Sequence, residues 1–422
     1  MTLADPAQMP SRPVTALGAQ APDGARTRDL RLDFFRGIAM YIILMAHTPG
    51  NFLSSWIPAR WGFSDATEIF VFCSGMASAI AFGRGFDTAG WRLGTARVGF
   101  RIWQVYWAHI GLFFATAAML AALDHYGGFD KRYIGSLNLW KFFEDPAPEL
   151  IGLMTLTYVP NYFDVLPMYM VVLAMMPIVM ALSRVNLWLV AVFVIGIWLL
   201  AQDALLQSMG LGAWHLALPA EPWSQRTWFF NPFGWILIFF TGFAFMRGWL
   251  PKPPVTLPLI LVAAAVVLIS IPLSNVGVRA INREWFGAFD GNPIETWRKA
   301  NAGWFDKSDF ALLRYVHFLS LAYLAWVIAG DRGDRLLARG TGALSQLWGG
   351  IVAAILKVGQ QSLAVFVTSM FLALFLGFVM DMLGRATFTV LMVNLAGFVL
   401  ITLTAFGAGW FKSQPWRKKG KT

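Results

Sequence analysis

Cysteine and charged residues are both scarce in this chain. Cys73 is the only cysteine, so neither an internal disulfide nor a cysteine-based metal cluster can form, and its apolar neighbours predict plain packing. Only 13% of the 422 residues are charged, whereas about a quarter are charged in soluble domains. Because 57% of the residues are hydrophobic, the composition predicts an integral membrane protein.

The signature motifs of several enzyme classes are missing as well. The sequence contains no Gly-x-Ser-x-Gly elbow, no P-loop, no His-Glu-x-x-His and no dinucleotide fingerprint. Serine hydrolase, ATPase and zinc protease functions are therefore poorly supported. We expect no metal site and no permanently bound cofactor.

Hydrophobic runs long enough to cross a bilayer recur along the whole chain. They predict an all-α, polytopic membrane helix bundle with about ten transmembrane helices and both termini in the cytosol. A shorter apolar stretch at 343–356 is expected to lie along the interface or to pack as a half-helix. The predicted spans are 33–52, 66–83, 100–123, 164–183, 186–203, 232–249, 255–273, 311–329, 359–383 and 387–410.

The two ends of the chain differ from its hydrophobic body. Residues 1–29 are rich in Ala, Pro, Gly and Arg, which predicts a disordered cytosolic tail without a cleavable signal peptide. Residues 30–411 then form the transmembrane domain. Residues 412–422 are a basic cytosolic tail, which we expect near anionic headgroups.

The net charge of +10 is distributed as membrane topology requires. In the predicted topology the cytosolic segments hold 21 of the 33 lysine and arginine residues but only seven of the 23 acidic residues. This asymmetry follows the positive-inside rule. We therefore expect a lipid bilayer as partner and no nucleic acid.

Three long loops, at about 124–163, 204–231 and 274–310, lie on the outer side in this topology and are rich in tryptophan. Tryptophan faces can stack on sugar rings, but they also form the aromatic belt at the headgroups of membrane proteins. The set leans toward an outer binding surface. We also expect Trp61, which precedes the second span, to bind substrate.

The first span carries ionisable side chains at both ends. Arg36 and His47 are eleven residues apart, which is about three helical turns and ~16 Å, so they share a face with Asp33. His47 could act as a general base or could hydrogen-bond a loop at the helix end. Asp33, one turn before Arg36, would fix the guanidinium. Because polar groups inside a span are costly, this stripe favours a functional role.

Two carboxylates, Asp65 and Glu68, begin the second span at the level of His47. Being three residues apart, they lie on one helix face. Asp65 could simply cap the helix. Alternatively, one carboxylate could hold the His47 imidazole in its required tautomer, as in a catalytic triad. Glu68 lies one turn deeper and needs a partner within the bundle.

Other ionisable residues allow two interpretations each. Arg97 and Arg101, with the neighbouring inner loop, could dock an anionic cofactor or could be ordinary topology signals. Arg314 and His317 begin the eighth span and could bind a carboxylate or a sugar hydroxyl. Asp164, at the start of the fourth span, is either a helix cap or a substrate hydrogen-bond acceptor.

Several of these residues also carry a family resemblance. The first span resembles the opening helix of integral-membrane acyltransferases of the acyltransferase-3 type: it reads LDFFRGIA at 32–39 and continues to His47. The second span, SDATEIFVFCSG at 64–75, is similar to that of one branch, the OpgC-type succinyltransferases of osmoregulated periplasmic glucans. The stretches FDVLPMY at 163–169 and QSLAVF at 361–366 also resemble this branch.

The resemblance implies a multi-pass enzyme of the bacterial inner membrane. It would move an acyl group, succinyl by analogy with the branch, from cytosolic acyl-CoA to hydroxyls of a periplasmic glucan or another polysaccharide. By matching position, His47 would be the catalytic histidine and Arg36 would engage the CoA end. Association with glucan-synthesis proteins would fit this setting.

Two other functions remain open from the sequence. A transporter or flippase for a sugar-containing or anionic substrate could use the buried ionisable residues as a proton path. A non-catalytic partner of a glucan synthase is a weaker hypothesis, because a protein with only a structural role would not need Arg36 and His47, two costly polar residues, on one span. Dependence on acyl-CoA separates the enzyme from the transporter.

Overall fold

A computed structural model describes residues 29–277 and 293–417 of the chain. Within these ranges the protein is helical, with one isolated bridge between Pro219 and Thr227. The predicted all-α class is therefore confirmed. The predicted tail at 1–29 lies outside the described residues except for Asp29, and the basic tail at 412–422 is described only to Arg417.

Twelve helices build the bundle within the described residues. They are α1 (Leu30–His47), α2 (Ala66–Ser78), α3 (Gly90–Tyr126), α4 (Val165–Ala174), α5 (Met176–Val185), α6 (Leu187–Leu200), α7 (Pro232–Arg247), α8 (Leu257–Ser270), α9 (Leu312–Ala329), α10 (Ala343–Gln360), α11 (Ser362–Leu383) and α12 (Thr387–Ser413). A π-helical turn, Ala79–Gly83, continues α2 into Arg84–Thr88. Shorter helices in the connections are Pro58–Trp61, Trp140–Glu144, Pro146–Thr155, Asp203–Ser208 and Pro293–Ala300.

Six helical segments in the described part of the chain are long and apolar enough to cross a membrane, which makes this a multi-pass membrane protein. They are Ala66–Thr88, Gly90–Tyr126, Val165–Val185, Leu312–Ala329, Ser362–Leu383 and Thr387–Ser413. Three further apolar helices, α6, α7 and α8, are shorter. Helix α1 has 18 residues but includes three charged side chains in its first turns. The count of ten spans and the orientation of the termini stay predictions.

Helix α1 packs closely against α10, and glycine makes the approach possible. Gly37 lies against the main-chain carbonyl of Ile355, and Gly359 lies against that of Asp33. Small residues at such contacts let two backbones approach in a membrane bundle. The apolar stretch at 343–356 is thus part of a full helix that packs along α1.

Helices α2 and α7 approach each other in the same way. Gly75 of α2 lies against the carbonyl of Phe239, and Gly242 of α7 lies against that of Phe72. The contact is reciprocal, so it fixes both the distance and the register of the two helices. It therefore sets the position of the N-terminus of α2, where the predicted carboxylates lie.

Long-range hydrogen bonds define two ends of the bundle. At the end where α1 begins, the Arg31 guanidinium donates to the carbonyl oxygen of Gly330 at 3.0 Å. At the other end, which we call the His47 end, the Asn51 and Asn394 side chains bond to each other at 2.9 Å. Thr48 N donates to the carbonyl of Leu44 where α1 ends. The His47 end carries the cavity described next.

Candidate functional site

A cavity of about 320 Å³ lies at the His47 end of the bundle. Its walls come from α1, α2, α4, α11 and the loops before α4, α7 and α9. The polar lining residues are His47, Thr67, Asn161, Tyr162, Asp164 and Lys307. The apolar lining residues are Ile43, Phe70, Val165, Phe229, Phe230, Phe366 and Met370.

His47 is the last residue of α1, and its ring has a defined hydrogen-bond partner. Nδ1 lies 2.8 Å from the carbonyl oxygen of Ile43, one turn earlier. A carbonyl oxygen can only accept, so Nδ1 carries the proton in the neutral ring. Nε2 is then left with a free lone pair at a cavity-lining side chain.

Tyr162 packs edge-on against the His47 ring, with the ring centroids 5.4 Å apart. Its phenol donates to the carbonyl oxygen of Met370 at 2.5 Å, and burial raises the phenol pKa, so it stays protonated. The backbone of Tyr162 has φ = +89°, a conformation that costs a non-glycine residue about 1–3 kcal/mol. The surrounding contacts thus hold a strained residue beside the histidine.

Asp65 and Glu68 form a capping box at the N-terminus of α2. Asp65 Oδ1 accepts from Thr67 N at 2.6 Å, and Glu68 Oε2 accepts from Asp65 N at 2.8 Å. The remaining carboxylate oxygens pair with cations: Lys307 Nζ lies 2.5 Å from Asp65 Oδ2, and Arg314 Nε lies 2.8 Å from Glu68 Oε1. Both the cap by Asp65 and a bundle partner for Glu68 are therefore confirmed.

The charges of this network balance, with two carboxylates and two cations. Burial alone would raise the pKa of Asp65, but Lys307 and Arg314 outweigh it and hold that pKa below its usual range. The alternative role, in which one carboxylate holds the His47 imidazole, differs from the geometry seen here, because the partner of Nδ1 is a main-chain carbonyl. Asp65 reaches the cavity through Lys307, which lines it, whereas Glu68 pairs with Arg314 outside the described lining.

Asp164 immediately precedes α4 and is only 2% exposed. Its Oδ1 accepts from Phe229 N at 3.0 Å, and within the described residues its side chain makes no capping bond to α4. Burial raises the pKa of Asp164 to about 6, against the lowering effect of that hydrogen bond and of Arg226. Because Asp164 lines the cavity and does not cap α4, the geometry favours a substrate hydrogen-bond acceptor over a helix cap.

Arg314, His317 and Trp61 lie outside the described lining of the cavity. The Arg314 guanidinium is bound to Glu68, and His317 Nδ1 lies 2.7 Å from the Ser64 hydroxyl. Trp61 Nε1 donates to the Ser55 carbonyl at 3.2 Å, and its ring lies against that of the exposed Trp56. A role of these three residues in binding substrate stays a prediction.

Arg36 lies two turns before Ile43 on α1, and its guanidinium donates to the Ser362 hydroxyl of α11. Its Nε is buried and has no hydrogen-bond partner among the described residues. The Asp33 carboxylate accepts a long bond of 3.5 Å from Gln360. Arg36 is thus held by Ser362 and lies outside the described lining of the His47 cavity.

The other two arginines considered for an anionic-cofactor dock lie on α3. Arg97 is exposed, and Arg101 donates to Gln104 Oε1 at 3.1 Å. Arg101 lies close enough to Arg36 for the two positive charges to repel each other. In the part of the chain that the structure describes, no three His, Cys, Asp or Glu side chains are grouped to hold a metal ion.

Sequence reasoning missed Lys307 and Tyr162. Lys307 lies 242 positions from its partner Asp65 and, in sequence, is one more charge in a polar loop. Tyr162 precedes the fourth span and resembles any interfacial tyrosine. What distinguishes Tyr162 from other interfacial tyrosines is its strained backbone, and the sequence does not reveal that strain.

Comparison with known proteins gives a family match. A family model described as OpgC protein matches residues 28–413, nearly the whole chain. No curated protein and no solved structure matches the chain.

Proposed function

This chain belongs to the OpgC family, and from that premise we propose that it is a membrane O-acyltransferase. Family membership implies a transferase that acts on a glucan. The finer parts are our proposal: the donor is cytosolic acyl-CoA, the acceptor is a hydroxyl of a periplasmic glucan, and the acyl group is succinyl, by analogy with the branch. The protein would lie in the bacterial inner membrane with the His47 end facing the periplasm.

The observation that carries the proposal is the state of His47. Its Nδ1 bond to the Ile43 carbonyl leaves Nε2 as a proton acceptor beside a cavity large enough for a thioester and a hydroxyl. A positioned imidazole with one ring nitrogen free to accept a proton is the usual general base of acyl transfer.

In the proposed reaction the protein forms no covalent bond with the substrates, and His47 moves one proton between them. His47 Nε2 accepts the proton of a sugar hydroxyl while that oxygen attacks the carbonyl carbon of the thioester. The C–S bond then breaks, and the imidazolium returns the proton to the leaving thiolate. The products are an ester and free CoA thiol, and no acyl-enzyme is required.

Lys307 would stabilise the reacting thioester carbonyl, and Asp164 would position the sugar. The Lys307 ammonium lines the cavity and is held by Asp65, so it supplies a fixed positive charge for the oxygen that becomes negative in the transition state. Asp164 would accept a hydrogen bond from a second sugar hydroxyl and so orient the acceptor.

The donor would be held at the other end of α1. Arg36 has a buried Nε without a partner among the described residues, so it can bind a polar group of the donor. Arginine suits phosphate because it donates two parallel hydrogen bonds, and Arg97, Arg101 and Asp33 complete the predicted dock. The rise of ~16 Å between Arg36 and His47 is of the order of a pantetheine arm.

The test is mass spectrometry of periplasmic glucans from a deletion strain. We expect the wild-type gene to restore acylated glucan and His47→Ala to restore none at an equal amount of membrane protein. The control is His125→Ala, which changes an exposed histidine outside the cavity. Acylated glucan from a folded His47→Ala protein would overturn the assignment of the base.

A transporter or flippase remains the second candidate, because four charged groups pair with one another at Asp65, Glu68, Lys307 and Arg314, and two of them, Glu68 and Arg314, are buried. Such a network could carry protons through the bundle. Acyl-CoA binding by the purified protein distinguishes the two functions, since a carrier of sugars should bind none.

A further inference from the structure

Two polar regions lie along the path proposed for the donor. One is the cavity of His47, lined by Lys307 and Asp164. The other contains Arg36 and the Ser362 hydroxyl to which it donates. The Cys73 side chain lies close enough to Arg36 to interact with its charge.

Two phenylalanine rings occupy the level between these regions. On α11, Ser362, Phe366 and Met370 follow at four-residue spacing, so they share one face. Ser362 bonds to Arg36, and Met370 lines the cavity and accepts from Tyr162 beside His47. Phe366 therefore lies between the two regions.

The same order holds on α2. Thr67 and Phe70 line the cavity, and Cys73 lies one turn further on, near Arg36. The Phe70 and Phe366 rings stack with their centroids 5.5 Å apart and their planes at 12°. Both side chains are buried, at 7% and 3% exposure. They line the cavity on the side toward Arg36.

The atom beyond this pair lacks a partner. Arg36 Nε is buried and has no hydrogen-bond partner among the described residues. A buried guanidinium nitrogen without a partner is unfavourable unless a ligand or water reaches it. A polar ligand or water can therefore reach Arg36 on the side of the ring pair that faces away from the His47 cavity.

We propose that Phe70 and Phe366 form an aromatic barrier between the two regions and that its width selects the acyl group that reaches His47. The inference rests on the proposed acyl transfer from a donor held at Arg36. An apolar constriction excludes water and ions, and so keeps the two compartments separate between turnovers. Because only side-chain packing holds the rings together, they can part for a thioester arm.

Cys73 provides a native reporter for the barrier, because it is the only cysteine of the chain and lies on the Arg36 side. A membrane-impermeant maleimide is added to vesicles in which only the His47 end is accessible. We expect slow labelling of the wild type and labelling about tenfold or more faster in Phe70→Ala/Phe366→Ala, since access controls thiol reactivity.

Three controls make the labelling interpretable. Phe375→Ala changes a 40% exposed ring on the same helix and should label as slowly as the wild type. Cys73→Ser should remove the label. If the double alanine variant does not fold, Phe70→Leu/Phe366→Leu keeps most of the volume, loses the stack and should label at an intermediate rate.

Acyl selection is measured as the ratio of rates with a bulky and a small acyl-CoA. We expect Phe366→Ala to raise this ratio about tenfold, as widening an apolar pocket does. Unchanged labelling in folded variants, or fast labelling of the wild type, would overturn the barrier. An unchanged ratio would overturn the selection. Failure of the wild type to transfer any acyl group would instead overturn the proposed function, and the labelling result would stand.

Discussion

The variant Arg314→Met separates a structural role of the buried ion network from a role in binding substrate. Arg314 donates to Glu68 through Nε at 2.8 Å and also through its terminal nitrogen, and it lies 3.9 Å from Asp65. The Glu68 side chain is fully buried. Removing the cation leaves a carboxylate that has neither water nor a charged partner, and breaking such a buried pair costs about 3–5 kcal/mol.

The double variant Glu68→Gln/Arg314→Met tests the reason for that loss. It removes both charges, and replacing a whole buried pair by neutral groups is often close to neutral, so we expect a stability within about 1 kcal/mol of the wild type. Unfolding of the detergent-solubilised protein, followed for the wild type, both single variants and the double variant, gives the coupling energy.

A different result would point to substrate. If Arg314→Met lowered stability by less than about 1 kcal/mol while raising KM for the acceptor, the pair would not hold the bundle together. Arg314 would then have the substrate-binding role suggested by its position at the start of the eighth span. A large stability loss that the double variant fails to recover would also refute the pairing argument.

Three further predictions concern the cavity and the helix contacts. Lys307→Met should lower kcat for acyl transfer about 100-fold with little change in KM, whereas Lys299→Met, at an exposed lysine, should leave it unchanged; equal rates would exclude the charge role. Because burial raises the pKa of Asp164 from its usual value of 3.8 to about 6, its ionisation opposes folding, and stability falls as pH rises from about 4 to about 6 and stays constant above that. Asp164→Asn should therefore be more stable than the wild type by roughly 2–3 kcal/mol at pH 8 and similar to it at pH 4, as measured by unfolding at each pH. Gly37→Ala should lose about 1–3 kcal/mol of stability because the added methyl group meets the backbone of α10; Gly99→Ala, which faces open space, should lose none.

The end of the bundle at which the site lies could be predicted from the sequence, because the rise per residue of a helix gives the position of each side chain along it. His47, Asp65 and Asp164 were expected at the same end of the bundle, and two of them line the cavity. The cap by Asp65 and the need of Glu68 for a partner also followed from local rules. These predictions need only knowledge of where each helix begins and ends.

The pairings across the bundle could not be predicted. The Arg36 guanidinium donates to Ser362 of α11, and Lys307, at the end of a long loop, pairs with Asp65. Each contact joins residues hundreds of positions apart, so it depends on which helices are neighbours. The aromatic stack of Phe70 on Phe366 has the same origin. In the sequence, both rings look like ordinary residues of apolar spans.

The position of the charges near His47 bears on the order of events in the proposed transfer. The Nδ1 partner is an uncharged carbonyl, so an imidazolium would receive less stabilisation than a carboxylate gives it in a triad. The Lys307 ammonium at the same cavity further opposes a positive charge on the ring, but it stabilises a negative charge on the carbonyl oxygen of the substrate. Proton uptake by His47 is therefore favourable only while that oxygen becomes negative. Deprotonation of the sugar and attack on the thioester should accordingly occur together, and a free His47 need not be a strong base.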